Sequence, residues 1–161
     1  MRLYAEDASR GFLPSTGTLV RYRPPTGPGI RHDGGVYEGA EVSVHYDPML
    51  AKLITYGDCR QAAIGRMRAA LAAWEVHGVV TNLPFLRAVI DHPAYASGDT
   101  HTGFVPEYFP EGLPEAEPSA AEWIALALDE AAGAMSHGSV SEGAGRHGDW
   151  VSPWRALGDL R

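Results

Sequence analysis

Polar and hydrophobic residues alternate near the start of the chain. Residues 2 to 7 and residues 18 to 23 each place apolar or β-favouring residues between polar ones, with Gly11, Pro14 and Gly17 separating the two stretches. An alternation of period two is typical of a strand with one buried face. The pattern therefore predicts two short antiparallel strands.

A proline-rich turn and a long apolar run follow. Residues Pro24 to Gly29 cannot donate a regular ladder of hydrogen bonds, so they predict a stiff turn that leads into a loop at Ile30 to Asp33, which presents Arg31. The run from Met49 to Tyr56 ends at a Gly-Asp pair and predicts a buried strand. Further short strands are predicted around a turn at Glu38-Gly39, at Val36, Val42 and Val44.

Beyond residue 58 the apolar residues recur with the period of a helix. One predicted helix begins with Asp58 as its cap and ends at Gly78; a second begins with Asn82 as its cap and stops before Pro93. The buried faces of the two helices are predicted from Ile64, Met67, Leu71 and Trp74, and from Leu83, Leu86 and Ile90.

A change in composition near residue 113 predicts a domain boundary. Residues 113–118 fall in a stretch of acidic residues and prolines without periodicity, which is typical of a linker. A third helix is predicted from Ile124, Leu128, Ala131 and Met135, before a flexible Gly- and Ser-rich tail from His137 to Gly148. We therefore predict an α+β domain over residues 1–112, with a small antiparallel sheet packed against helices, and an attached segment over residues 119–161.

Composition narrows the class of protein. The length of 161 residues suits one ordinary core, and no apolar run approaches the roughly 20 residues that cross a bilayer. A formal charge of −7 argues against a nucleic-acid surface. Cys59 is the only cysteine, and no apolar segment follows Met1, so the expected location is the cytoplasm, with no membrane and no nucleic acid among the partners. The seven histidines lack the spacing of a metal site.

Several ordered motifs resemble the C-terminal domain of biotin carboxylase, as carried by the biotin-containing subunit of acyl-CoA carboxylases. They are Arg2-Leu3-Tyr4-Ala5-Glu6-Asp7, Phe12-Leu13-Pro14-Ser15 with Gly17, Gly29-Ile30-Arg31-His32-Asp33, the block from Val42 to Ile54, Thr81-Asn82 and Gly98-Asp99-Thr100. The details Ser43 to Met49 and His101-Thr102 are closest to methylcrotonyl- and propionyl-CoA carboxylases, and Ser152 to Arg155 resemble the start of the segment that leads toward the biotin carrier domain. The resemblance implies a fragment truncated at both ends.

Arg31 is the candidate catalytic residue. Carboxylation of biotin builds negative charge on its ureido oxygen, and an arginine offers a permanent charge and a planar fork of donors to such an oxyanion or to bicarbonate. The resemblance implies that Arg31 stabilises the biotin enolate and contacts bicarbonate, with Asp33 in support. From its spacing alone, Arg31 also fits an ordinary surface residue after a proline-rich turn.

Other polar residues have alternative interpretations. Asp47 and Lys52 could act as an acid and a base, but a turn at Asp47-Pro48 and an ion pair at Lys52 are the favoured interpretation, because the strand pattern places Lys52 opposite Ala51 and Leu53. By resemblance, Tyr56 to Arg60 lies where the family forms a subunit contact, which suggests a homodimer.

The resemblance also implies which functions lie outside this chain. Neither a glycine-rich phosphate loop nor the family's biotin-accepting Met-Lys-Met motif is present, so ATP and Mg²⁺ are assigned to an ATP-grasp portion and biotin to a separate carrier domain. A carboxyltransferase subunit would receive the carboxyl group, and the chain is expected to be inactive alone. Two alternatives stay open: a non-catalytic module that binds a carboxylase subunit or the biotin carrier, and a fragment of a pyruvate or urea carboxylase.

Overall fold

The computed structural model describes residues 1–114, 120, 121, 123–125, 127 and 128. The chain divides into two compact units, residues 1–115 and residues 116–161, and the elements named next belong to the first. The strands are β1 (Arg2–Tyr4), β2 (Glu6–Asp7), β3 (Leu13–Pro14), β4 (Gly17–Thr18), β5 (Arg21–Arg23), β6 (Ile30–Gly34), β7 (Glu41–Val42), β8 (Met49–Thr55) and β9 (Glu75–His77). The helices are α1 (Arg60–Ala73), α2 (Leu83–Asp91), α3 (Pro93–Ser97) and α4 (Phe104–Tyr108), with a short 3₁₀ helix at Ala8–Arg10.

A three-stranded antiparallel sheet carries the candidate site. Its strand order is β1-β8-β6, and β8 is therefore the central strand. Lys52 of β8 lies opposite Arg2 on one side and opposite Asp33 on the other. Because successive side chains point to opposite faces, Lys52 and Ile54 lie on the outer face while Leu53 is buried beneath them.

Helices α1 and α2 cover the inner face of this sheet. Helix α1 packs on β8, helix α2 packs on β1, and the two helices also contact each other. The residues predicted for the two helical faces are all buried: Ile64, Met67, Leu71 and Trp74 in and directly after α1, and Leu83, Leu86 and Ile90 in α2. The predicted α+β fold, a small antiparallel sheet packed with helices, is confirmed.

The two strands predicted for residues 2–7 and 18–23 are wrong in extent and pairing. The first stretch is divided into β1, which pairs with β8, and β2, which pairs with β3. The second is divided into β4, which pairs with β7, and β5, which pairs with β9. Each break follows a change of partner: Ala5 N–H donates to Pro48 O, and Val20 N–H donates to His77 O.

The short strands predicted around residues 38 and 39 are confirmed only at Val42. A turn does lie at these residues, with Ala40 N–H donating to Tyr37 O. Val36 and Val44 lie outside the strands.

The predicted ends of the first helix are also wrong. Helix α1 begins at Arg60, after Cys59, and makes no side-chain cap with Asp58. It ends at Ala73 rather than Gly78, because residues 75–77 form β9, where Arg21 Nε donates to Glu75 Oε2 at 2.6 Å. Gly78 is needed beyond β9: its φ is +104°, and a Cβ there would lie 2.0 Å from Thr18 O.

Helix α2 stops before Pro93 as predicted, and the same proline begins α3. Pro93 suits the first helical position because it needs no donor there. His92 caps α3 by accepting a hydrogen bond at Nδ1 from Ala94 N–H, at 3.3 Å. Helices α3 and α4 were not predicted, since five residues are too few to show a helical period.

The predicted third helix falls in the second unit. The described residues there are helical, and Trp123, Ile124 and Leu128 among them are exposed. Ala131, Met135, the tail from His137 to Gly148, Ser152 to Arg155 and most of the predicted linker lie outside the described residues. Within the described ranges, no helix is long and apolar enough to span a membrane.

Asn82 fastens α2 to the sheet. It precedes α2 as predicted, but its side chain makes no helix cap. Instead, its Oδ1 accepts from Tyr4 N–H at 2.9 Å and its Nδ2 donates to Arg2 O at 3.4 Å, with only 6% of the residue exposed. The side chain therefore takes the place of a missing strand partner along β1.

Replacing Asn82 with alanine should lower the free energy of unfolding by about 1–3 kcal/mol, because the partly buried Tyr4 N–H would lose its acceptor. Urea unfolding of the chain measures this. Gln61→Ala, which removes an exposed amide from α1, is the matched control and should change stability by less than about 0.5 kcal/mol. Equal effects of the two substitutions would show that the Asn82 hydrogen bonds contribute nothing specific.

Candidate functional site

Arg31 and Asp33 lie on the same face of β6. They are two residues apart in an extended strand, so their side chains point the same way, toward the outer face of the sheet. The Arg31 side chain is 72% exposed. The turn before β6 closes through Ile30 N–H to Gly27 O, at 3.1 Å, and Tyr56 N–H donates to Gly29 O, at 2.8 Å, so both neighbouring segments anchor the start of this strand.

The guanidinium group of Arg31 donates two hydrogen bonds to the Asp33 carboxylate. Nε donates to Oδ1 at 2.8 Å, and Nη2 donates to Oδ2 at 3.1 Å. A guanidinium has five N–H donors, of which Asp33 takes two; two of the remaining three, one each on Nη1 and Nη2, point along the edge formed by these two nitrogens. That edge can bind a second oxyanion in a bidentate manner while Asp33 holds the other edge.

The charges of this pair persist at neutral pH. The hydrogen bond from Arg31 holds the pKa of Asp33 below its usual value, and the charges of Arg31 and Lys52 lower it further. The hydrogen bond to Asp33 in turn raises the pKa of Arg31. Asp33 is therefore an acceptor, not a proton donor, at neutral pH.

Lys52 lies beside this pair. Its Nζ is 4.0 Å from Asp33 Oδ2, and its side chain is 48% exposed on the outer face, as the strand pattern predicted. The favoured interpretation of Asp47 also agrees with the structure, because Asp47 Oδ1 accepts from Met49 N–H at 2.8 Å in a turn.

An aromatic cluster of Tyr22, His32 and Trp74 packs against the inner face of β6. His32 Nε2 is 2.9 Å from Tyr22 Oη, and the His32 ring meets the Trp74 ring edge-on with centroids 5.5 Å apart. Burial lowers the pKa of His32 and raises the pKa of Tyr22 to about 12. These three residues support the strand that carries Arg31; sequence reasoning missed them, although alternation along β6 could have placed His32 on the inner face.

Between pH 5 and 7 the wild-type chain should lose more stability on acidification than His32→Gln. The depressed pKa of folded His32 means that the unfolded chain, with a histidine pKa of about 6.5, binds the proton more readily. The contribution is full above the unfolded pKa and is lost as the pH falls toward the folded one. Urea unfolding at several pH values measures the two slopes; parallel slopes would contradict the burial of neutral His32.

Arg60, predicted to lie at a subunit contact, is engaged within the chain. Its guanidinium donates to Tyr95 O and to Ala96 O, the latter at 3.3 Å, and lies over the Tyr95 ring at 5.3 Å from the centroid. Tyr56, at the other end of the same segment, is exposed. These contacts join the start of α1 to α3.

Sequence comparison identifies the family. The profile of the biotin carboxylase C-terminal domain matches residues 1–107. The propionyl-CoA carboxylase alpha chain of Ruegeria pomeroyi is 52% identical over 132 residues, covering 70% of this chain and 19% of that protein. The mitochondrial methylcrotonoyl-CoA carboxylase subunit alpha of Glycine max is 43% identical over 107 residues, covering 66% of this chain and 15% of that protein.

Solved structures agree with the sequence comparison. The biotin carboxylase domain dimer of Hydrogenobacter thermophilus 2-oxoglutarate carboxylase, in complex with MgADP, ADP and bicarbonate, matches with a TM-score of 0.68 and 37% identity, covering 72% of this chain and 25% of that chain. Rhizobium etli pyruvate carboxylase matches with a TM-score of 0.69 and 36% identity, covering 74% of this chain and 12% of that chain. The chain belongs to the biotin carboxylase C-terminal domain family. It spans less than a fifth of the length of the two alpha chains.

Proposed function

We propose that this chain forms one wall of an active site that carboxylates carrier-bound biotin with ATP and bicarbonate, within a biotin-dependent acyl-CoA carboxylase. The observation that carries the proposal is the geometry of Arg31. Its side chain is exposed, held by Asp33 along one edge, and open along the other. Because the chain belongs to the biotin carboxylase C-terminal domain family, the ligand proposed for that open edge is the ureido oxygen of biotin or bicarbonate.

Arg31 acts by electrostatic stabilisation. As the ureido nitrogen of biotin loses its proton, negative charge builds on the ureido oxygen, and a fixed cation lowers the energy of that state. The Arg31–Asp33 hydrogen bonds hold the guanidinium in place before the substrate arrives, so little reorganisation is needed. The same open edge has the planar fork that matches bicarbonate.

The remaining parts of the reaction belong to other components. An ATP-grasp portion binds ATP and Mg²⁺ and activates bicarbonate, a biotin carrier domain brings biotin to Arg31, and a carboxyltransferase subunit receives the carboxyl group. Alpha chains of both propionyl- and methylcrotonoyl-CoA carboxylases are relatives of this chain, which supports an acyl-CoA as the final acceptor.

We also assign the assembly to the cytoplasm and infer that it forms a homodimer. The single, free Cys59 suits a reducing compartment. A solved biotin carboxylase domain with the same fold is a dimer. In the predicted contact segment, Tyr56 is exposed and has a large apolar ring that a second copy could cover, and Asp58 and Cys59 are exposed beside it.

A segment exchange tests the proposal. Residues 1–107 of this chain would replace the matching segment of the Ruegeria pomeroyi alpha chain, which removes the need for two separate pieces to associate. We expect the exchanged protein to hydrolyse ATP in a manner that depends on both bicarbonate and free biotin. A folded, assembled protein without that activity would instead favour a non-catalytic interaction module.

A further inference from the structure

The outer face of the β1-β8-β6 sheet is positively charged, although the whole chain has a formal charge of −7. Arg2, Lys52 and Arg31 are its cations, and their side chains are exposed. Asp33 is the carboxylate among them, in the register given by the described strands. A surface of this kind attracts anions, and its field is strongest where a cation is not matched by a carboxylate.

Arg31 and Asp33 by themselves form a neutral pair. The carboxylate that fixes the guanidinium also cancels its charge, which weakens the attraction of the open edge for an oxyanion. A second cation close to Asp33 would restore the attraction. Lys52 Nζ lies 4.0 Å from Asp33 Oδ2, the carboxylate oxygen that also accepts a hydrogen bond from Arg31 Nη2.

The register explains why Lys52 reaches Asp33. Lys52 lies between Arg2 and Asp33 across the sheet, and directly opposed residues in neighbouring strands are close enough to interact. Repulsion from Arg2 and attraction to Asp33 both favour the observed direction of the ammonium group. With Lys52 included, the group of three side chains carries two positive charges and one negative charge.

We propose that Lys52 is a positioning residue of this site, whose ammonium group balances the Asp33 carboxylate so that Arg31 presents a net positive charge to an incoming oxyanion such as bicarbonate. This inference rests on the proposed function. Lys52 need not touch the oxyanion, since its effect acts through the charge of the Arg31–Asp33 pair. An exposed ion pair at 4.0 Å contributes little to the stability of the fold. If Lys52 had only a structural role, its replacement would therefore change neither stability nor bicarbonate binding measurably.

Kinetics of Lys52→Met and Lys52→Arg in the exchanged alpha chain test the inference. We expect Lys52→Met to raise the KM for bicarbonate about three- to tenfold at low ionic strength, the effect of one unit charge several ångströms away in a partly aqueous environment. The KM for ATP and the kcat should change less than about twofold, and added salt should shrink the difference because it screens exposed charges. Lys52→Arg should behave like wild type, and Arg23→Met, which removes an exposed cation from β5, is the matched control.

Two further measurements separate this inference from the proposed function. Loss of activity in Arg31→Ala together with an unchanged KM for bicarbonate in Lys52→Met would overturn the role of Lys52 alone, as would a Lys52→Arg variant that resembles Lys52→Met. If the exchanged protein has no activity at all, the isolated chain is titrated with bicarbonate, and the ¹H–¹⁵N NMR signal of Arg31 Nε is monitored in wild type and in Lys52→Met. A bicarbonate-induced shift that is weaker in Lys52→Met supports the inference, and equal shifts or no shift overturn it.

Discussion

Arg31→Ala in the exchanged alpha chain should lower the kcat for biotin carboxylation about 100- to 1,000-fold, the usual effect of removing one donor that stabilises a developing oxyanion. The guanidinium is already held by two hydrogen bonds to Asp33, so its removal takes away a preorganised group. Its loss should leave folding intact, because the side chain is 72% exposed. The measurement is biotin-dependent ATP hydrolysis at saturating bicarbonate.

Arg31→Lys and Arg23→Ala are the controls for this prediction. Lysine keeps the charge but loses the planar fork, so its kcat should stay at least about tenfold below that of wild type. Arg23 is an exposed arginine on β5, outside the candidate site, and its removal should change kcat by less than about twofold. Normal activity in Arg31→Ala would show that Arg31 is not the oxyanion-stabilising residue.

Leu53→Ala should lower the free energy of unfolding by about 2–5 kcal/mol, a large part of the 5–15 kcal/mol typical of a small domain. Leu53 is 0% exposed at the centre of β8, directly beneath the face that carries Lys52. Truncation removes buried apolar contacts and leaves a cavity between the sheet and α1. Guanidinium unfolding monitored by circular dichroism measures the change.

Ile54→Ala is the matched control for Leu53→Ala. Ile54 is the next residue along the same strand and has the same number of carbon atoms, but it is 37% exposed on the outer face. Its truncation should cost less than about 1 kcal/mol because less apolar area leaves water on folding. Equal losses for the two variants would contradict the assignment of the inner and outer faces of β8.

The two longer helices could be predicted because their buried faces repeat along the sequence. Leu71 and Ile90 each belong to a stripe that needs only local periodicity to recognise, and both are buried. Strand partners could not be predicted in the same way. Strand β9 has three residues and pairs with β5, more than 50 residues earlier, so no local pattern distinguishes it from the end of a helix.

In the candidate site, too, local features could be predicted from the sequence and long-range contacts could not. The loop predicted at Ile30 to Asp33 is wrong, because this segment forms strand β6, and the strand places Arg31 and Asp33 on one face. The resemblance of the surrounding motif indicates which arginine to choose. The approach of Lys52 to Asp33 depends on the register between β6 and β8, which the sequence does not specify. The support from Tyr22 and Trp74 beneath His32 also joins residues far apart in the chain, so only the folded structure brings these side chains together.

The proposed role of Arg31 in forming carboxybiotin can be tested by following the carboxyl group itself. The exchanged alpha chain would be incubated with ATP, biotin and ¹⁴C-bicarbonate, and acid-labile label on biotin would be counted for wild type and Arg31→Ala. If Arg31 has this role, label should accumulate with wild type and be nearly absent with Arg31→Ala, while both proteins stay folded. Equal labelling by the two proteins would contradict it.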